Sequence, residues 1–116
     1  MPSPILDGYL IEARIPARGA WDDVVFKFRP MLQDQVAETI QTLASKFGKE
    51  RLRVIKAKIL EQVKAWDVKK PGSADEADAL PVTDEWLSKL PMYCIDEMLA
   101  AIQGYSTLEQ SIDQKN

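Results

Sequence analysis

The amino-acid sequence predicts an α+β fold that is predominantly α-helical, with an N-terminal β-hairpin followed by about four helices. Two observations lead to this prediction. Up to Pro30, β-forming residues alternate with polar ones, as is typical of strands. Beyond Pro30, apolar residues recur every three or four positions, as on a helix that packs against a core. The chain has 116 residues, 46% of them hydrophobic and 28% charged, which is the size and composition of one globular domain.

The predicted hairpin joins strands at residues 9–15 and 24–29 through a turn rich in Pro, Gly and Asp. Phe26 and Phe28 point to one side of the second strand, and Pro30 closes it because proline cannot donate to a ladder. A two-stranded ribbon is marginal alone. We therefore expect it to pack on the helical part, or to pair through a free edge with another chain.

Two helices should follow the hairpin. The first is predicted at residues 33–46, with an apolar stripe formed by Val36, Ile40, Leu43 and Phe47. The second is predicted at residues 49–68, because no Gly or Pro interrupts it and Lys69-Lys70-Pro71-Gly72 ends it. Its stripe contains Leu52, Ile55, Ile59, Val63 and Trp66. From it we assign Leu52, Ile55, Ile59 and Trp66 to the structural core.

The last two helices are predicted at residues 84–90, with Thr83 as N-cap, and from 91 to a stop at Gly104. The sequence thus describes one domain over residues 1–105, in which the hairpin occupies 1–30 and the helical part 33–104. Residues 106–116 are expected to form a flexible C-terminal tail, unless Leu108 and Ile112 extend it by a helical turn.

The composition argues against an enzyme. The chain has no histidine, which removes the commonest general base and metal ligand. Its single cysteine, Cys94, stands beside Asp96 and Glu97, which disfavour a reactive thiolate. The glycines are dispersed, so no phosphate-binding loop is expected. We predict no catalytic, cofactor-binding or metal-binding residue. We also expect no membrane span and no signal peptide, and hence a location in the cytoplasm.

Charge is distributed unevenly along the chain. Residues 46–72 carry a net charge of +6, whereas residues 73–116 carry −7. The basic segment 49–70 has two interpretations. It could contact the phosphates of a nucleic acid, or its Lys and Arg stems could cover the edges of an apolar helix face. The second interpretation is favoured, because no nucleic-acid-binding motif accompanies the segment.

The order of features resembles the tail assembly chaperones of long-tailed phages and prophages. The resemblance covers roughly residues 20–105 and rests on Phe28-Arg29-Pro30, Trp66-Asp67-Val68 and Leu90-Pro91. It implies a protein in the cytoplasm of the bacterial host cell that binds the long, helical tape measure protein during tail morphogenesis. It also implies self-association into a homo-oligomer.

A binding role of this kind requires an apolar groove with a charged rim instead of an active site. The candidate contact residues are Trp21, Phe26, Phe28 and Arg29, of which Arg29 is expected to supply a charge-assisted bond. Two alternatives remain open from the sequence. One is a structural tail or adaptor component of the virion, and the other is a small nucleic-acid-binding regulator that uses the basic helix 49–70.

Overall fold

The computed structural model of the chain describes residues 4–74 and 76–115, and the side chains of all of these up to Ile112. Residues 1–3 of the predicted hairpin segment lie outside the described residues, as does residue 116 of the predicted tail. In chain order the elements are β1 (Tyr9–Ile15), β2 (Val24–Phe28), α1 (Gln33–Ala44), α2 (Gly48–Gln62), β3 (Val63–Trp66), α3 (Asp84–Leu87), α4 (Met92–Gln103) and β4 (Glu109–Lys115).

The fold is α+β, but the sheet is larger than the sequence predicted. Within the described residues, the strands form one antiparallel sheet with the order β3-β2-β1-β4. About 40% of the chain is helical and 19% is strand, so the expected predominance of helix is not confirmed. The predicted hairpin and helices are present, and the two additional strands account for the difference.

The strand β3 lies where the sequence predicted the end of a long helix. Val63 and Trp66 are three residues apart, a spacing that fits a helical stripe. In the structure they pair with Phe28 and Phe26 of β2, across a register shift that leaves Lys64 as an extra residue. A β-bulge of this kind lets both Val63 and Trp66 face the core from one short strand. Pairing with the edge of β2 thus replaces the last turns of the predicted helix.

The strand β4 lies in the segment for which a tail or a helical turn was expected. It pairs with β1, with Ile11 opposite Ile112 and Ala13 opposite Gln110. Together, β3 and β4 place the predicted hairpin at the centre of the sheet. The free ribbon edge that the sequence suggested for self-pairing is therefore occupied by the chain itself.

One face of the sheet carries the helices, and the core lies between the two layers. Phe26, Phe28 and Ile15 from the sheet are buried against Ile59 of α2 and Met98 of α4. The predicted core residues are all in this region: Ile55, Ile59 and Trp66 belong to the core cluster, and Leu52 packs against it. The indole Nε1 of Trp66 donates to the Leu80 carbonyl at 2.7 Å, which satisfies a polar atom near the core.

The predicted caps of the last two helices are confirmed. The Thr83 hydroxyl accepts the Trp86 N–H at the start of α3. Gly104 ends α4 with φ of 87°, in the left-handed region that favours glycine. A Cβ added at Gly104 would meet no atom within 4 Å. Any cost of replacing it therefore comes from the backbone conformation and not from a clash.

We expect Gly104→Ala to lower the free energy of unfolding by about 1 kcal/mol, because alanine is strained in the left-handed conformation. Urea denaturation followed by circular dichroism measures this difference. Gly104→Asn should lower the free energy of unfolding by less, since asparagine tolerates that conformation better than alanine does. If alanine were as well tolerated as glycine, the left-handed end of α4 would be wrong.

Candidate protein-binding surface

Two of the predicted contact residues are buried in the core. Phe26 and Phe28 are 0% and 1% exposed, and their ring centroids are 5.4 Å apart on the helix-facing side of the sheet. The alternation of β2 indicated correctly that they share a face. It could not show that helices cover this face, so Phe26 and Phe28 support the fold and are not available to a partner in this conformation.

Trp21 lines a cleft of about 630 Å³ between the β1–β2 turn, the loop after β3 and the start of α4. Its ring lies 6.4 Å from that of Tyr93, and the Arg18 guanidinium covers Tyr93 at 3.8 Å. The indole Nε1 of Trp21 is buried and has no acceptor among the described residues. Trp21 is thus partly built into the fold, and its role as a contact residue stays a prediction.

Arg29 lies at the exposed end of β2. Its main-chain N–H donates to the Gln62 carbonyl at 2.9 Å, and its carbonyl accepts from the Gln62 side-chain amide at 2.7 Å. These bonds attach the end of β2 to the end of α2. The main chain of Arg29 therefore fixes the end of β2, whereas the charge-assisted bond expected from its side chain stays a prediction.

An exposed apolar surface on α1 was not among the predicted site residues. Helix α1 buries Thr39 and Leu43, whereas Ile40 is 50% exposed. The Thr39 hydroxyl donates to the Gln35 carbonyl at 2.7 Å, which makes this polar residue tolerable inside. The predicted stripe is thus only partly in the core: Leu43 is buried, whereas Ile40 is turned towards solvent. Phe47 is 79% exposed and lies beyond the end of α1.

We call the surface around Ile40 the α1 face. It consists of two adjacent rows of α1 side chains and a wall formed by residues just before α1 and at the end of α4. Between them is a cleft of about 330 Å³. No charged residue lines the cleft, and Tyr105 on its wall is 66% exposed. The α1 face comprises Met31, Gln33, Val36, Ala37, Ile40, Gln103 and Tyr105. An uncharged, partly apolar cleft open to solvent is typical of a protein-binding surface.

The rows on α1 follow from helical geometry. At 100° per residue, side chains four apart lie in one row, so Val36 and Ile40 form one ridge and Gln33 and Ala37 the next. Asp34 and Glu38, both exposed, form the row beyond these. At 100° per residue, Asp34 and Glu38 lie about 160° from Val36 and Ile40, so the acidic row is across α1 from the exposed apolar ridge. The same spacing in the sequence could have revealed this pattern, but it could not show which side of α1 faces the core.

The basic segment is not presented as a continuous charged helix. The segment is divided at Gln62 between α2 and β3, and several of its lysine and arginine side chains form contacts within the chain. Lys56 donates to the Ser88 hydroxyl at 2.7 Å and lies 3.5 Å from the Asp84 carboxylate, while Arg51 donates to the Leu43 carbonyl at 2.7 Å. These contacts support a structural role for the segment and weaken the nucleic-acid alternative.

The described residues contain no cluster of three or more His, Cys, Asp or Glu side chains that could hold a metal ion. Cys94 is 0% exposed, and burial together with the charge of Glu97 raises the pKa of its thiol. A protonated, covered thiol is a poor nucleophile. In the same described part of the chain, no helix is both long and apolar enough to cross a membrane.

Comparison of the chain with protein-family models, with curated proteins and with solved structures finds no match.

Proposed function

We propose that this chain is a non-enzymatic binding protein of the tail assembly chaperone type, which holds an apolar helical segment of a larger protein on its α1 face. By the sequence resemblance, that larger protein is the tape measure protein. The observation that supports the proposal most directly is the exposure of Ile40 and Tyr105 around an uncharged cleft. The role is binding, without a cofactor.

The energetics favour an apolar occupant. Fully burying an Ile or Phe side chain lowers the free energy by about 1.5–3 kcal/mol. Half of the Ile40 surface is still exposed in this chain, so a partner that covers it would gain part of this stabilisation. A partner that covers Ile40 and Tyr105 together would bury a contiguous apolar area. Phe47, 79% exposed, would add to it if the partner extends along the α1–α2 junction.

The shape of the α1 face favours a helix as occupant. Ridges of side chains four apart are the surface that a second helix packs against, and Ala37 leaves room for close approach. An apolar helix laid against such a ridge is the helix-in-groove mode of recognition. A long helical protein with an exposed apolar face is the kind of partner that needs such cover before assembly.

Co-expression with a long helical tape measure protein tests the proposal. The wild-type chain should raise the fraction of that partner that stays soluble, and Ile40→Gln should lose most of the effect. Met92→Gln is the matched control, because Met92 is 52% exposed and lies at the opposite end of α4 from Tyr105. Both substitutions are on the surface and should change the free energy of unfolding by roughly 0.5 kcal/mol or less.

Two outcomes would count against the proposal. If the wild-type chain does not change the solubility of the partner, the chaperone role fails. If Ile40→Gln protects the partner as well as Met92→Gln does, the α1 face is not the binding surface.

A further inference from the structure

Strand β4 occupies a whole edge of the sheet but contributes little to the core. We infer that β4 is an exchangeable strand, through which two copies of this chain pair by placing the β4 of each against the β1 of the other. This pairing goes beyond the proposed function and does not involve helix α1.

The side chains of β4 are largely in contact with water. Those that the structure describes, from Glu109 to Ile112, are all exposed, and none belongs to the core cluster. Ile112 stands opposite the buried Ile11 and is still 38% exposed, so the helix layer does not close over this edge. The main-chain ladder to β1 therefore holds β4 in place, together with the partial burial of Leu108 just before the strand.

The strand at the other edge of the sheet is anchored more firmly. Val63 and Trp66 of β3 both belong to the core cluster, and the Trp66 indole donates to the Leu80 carbonyl. Opening β3 would expose these buried side chains, whereas the side chains of β4 already meet water. Because the parts of a fold with few buried contacts open first, β4 should detach before β3 does.

Residues 104–108, which join α4 to β4, are suited to act as a hinge. The hydrogen bonds found in this segment are local. The main-chain N–H groups of Gly104 and Tyr105 donate to the last turn of α4, and that of Leu108 donates to the Ser106 hydroxyl. When extended, a segment of this length spans up to roughly 17 Å, well beyond the spacing of about 4.8 Å between neighbouring strands. The hinge can therefore carry β4 to the sheet of another copy.

A second β4 is the occupant that fits the opened β1 edge. Along this edge Ile112 pairs with Ile11 on the core side, and Glu109 stands opposite the oppositely charged Arg14 on the outer side. The β4 of another copy brings the same residues in the same order. Every contact between β1 and β4 is then reproduced between the two chains, which is why exchange of an identical element costs little.

Direct pairing of two β4 edges is the less favourable arrangement. The register between β1 and β4 shifts between Leu10 and Ile11, which leaves Asp113 as an extra residue in β4. A bulge of this kind twists an edge strand away from further pairing. Exchange keeps the bulge within the β1–β4 ladder, so each sheet remains four-stranded.

Cross-linking between two single-cysteine chains tests the exchange. Glu12 and Ser111 are paired across β1 and β4, where Cα atoms lie about 4.5–5.5 Å apart and a disulfide can form. One chain carries Glu12→Cys and the other Ser111→Cys, and Cys94→Ala in both removes the native thiol. The chains are unfolded, mixed and refolded at roughly millimolar concentration, where a second copy competes with the β4 of the same chain. Mild oxidation should then trap a covalent heterodimer.

The matched control replaces the Ser111→Cys chain by an Asp96→Cys chain, because Asp96 is exposed on α4 and does not pair with β1. The Ser111→Cys mixture should give at least about fivefold more heterodimer than the control, and this excess should disappear when refolding takes place at about 10 μM. Equal yields from the two mixtures would mean that β4 does not exchange, since random collisions then account for both.

Hydrogen exchange of the unmodified chain gives a second test that needs no substitution. The main-chain N–H groups that join β4 to β1 should exchange at least about tenfold faster than those that join β1 to β2, because β4 opens by itself. If both sets were equally protected, β4 would open only when the whole sheet does, and the proposed exchange would be overturned.

Discussion

Replacing Phe26 by alanine should lower the free energy of unfolding by about 3–5 kcal/mol, enough to remove much of the stability of a small domain. Phe26 is 0% exposed, contacts the Phe28 ring and pairs across the sheet with Trp66. Its removal leaves a cavity where the sheet meets the helices. Chemical denaturation of the purified variant measures the loss, and an insoluble or unfolded variant would be the extreme form of the same result.

Phe47→Ala is the matched control for this prediction. It deletes the same atoms from a side chain that is 79% exposed, so stability should change by no more than roughly 0.5 kcal/mol. The pair of variants also separates a core role from a binding role. If Phe26→Ala were as stable as Phe47→Ala, the placement of the Phe26 ring beneath the helices would be incorrect.

The second large effect concerns the thiol of Cys94. Cys94 is 0% exposed, and burial raises the pKa of its thiol. Little thiolate therefore forms at neutral pH. The reaction with a thiol reagent such as Ellman's reagent should therefore be at least about a hundredfold slower in the native chain than in the chain unfolded in denaturant, because it requires opening of the structure.

The pH dependence of this reaction has a definite sign. A raised pKa in the folded state means that, as pH rises, thiolate forms later in the native chain than in the unfolded one. The ratio of unfolded to native rates should consequently be largest at pH values below the pKa of the unfolded thiol, neutral pH included, and should fall as pH rises through that pKa. Phe26→Ala should speed native labelling, because it increases the population of open states. Rapid labelling of the wild-type chain at neutral pH would contradict the buried position of Cys94.

Local signals in the sequence predicted much of the fold correctly. The strands β1 and β2 follow from alternation and turn residues, and α4 follows from Pro91, its apolar spacing and Gly104. Each of these features depends on residues that are close together in the sequence, because caps, turns and periodicity act on the nearby backbone. The residues that were assigned to the core from the stripe of the predicted helix 49–68 also lie in the core or pack against it.

The candidate surface was harder to predict. The spacing of Val36, Ile40, Leu43 and Phe47 indicated an apolar side of α1, and Leu43 is indeed buried. The core-facing row is that of Thr39 and Leu43, however, so Ile40 is left exposed. The Gln35 carbonyl satisfies the Thr39 hydroxyl, so a polar residue can occupy the inner position. Which side of a helix is covered depends on the neighbours that pack against it, and the sequence of the helix does not contain that information.

The sequence by itself determined the mixed α+β character, the first two strands and the main helices. It also showed that the chain has no histidine and so lacks the chemistry that this side chain supplies. Only the tertiary structure decided that Val63–Trp66 and Glu109–Lys115 are strands, because each borders an open edge of the hairpin. Hydrogen bonding to a partner strand outweighed the helical periodicity of Val63 and Trp66. The packing of the helices on one face of the sheet buried Phe26 and Phe28 and left Ile40 and Tyr105 exposed.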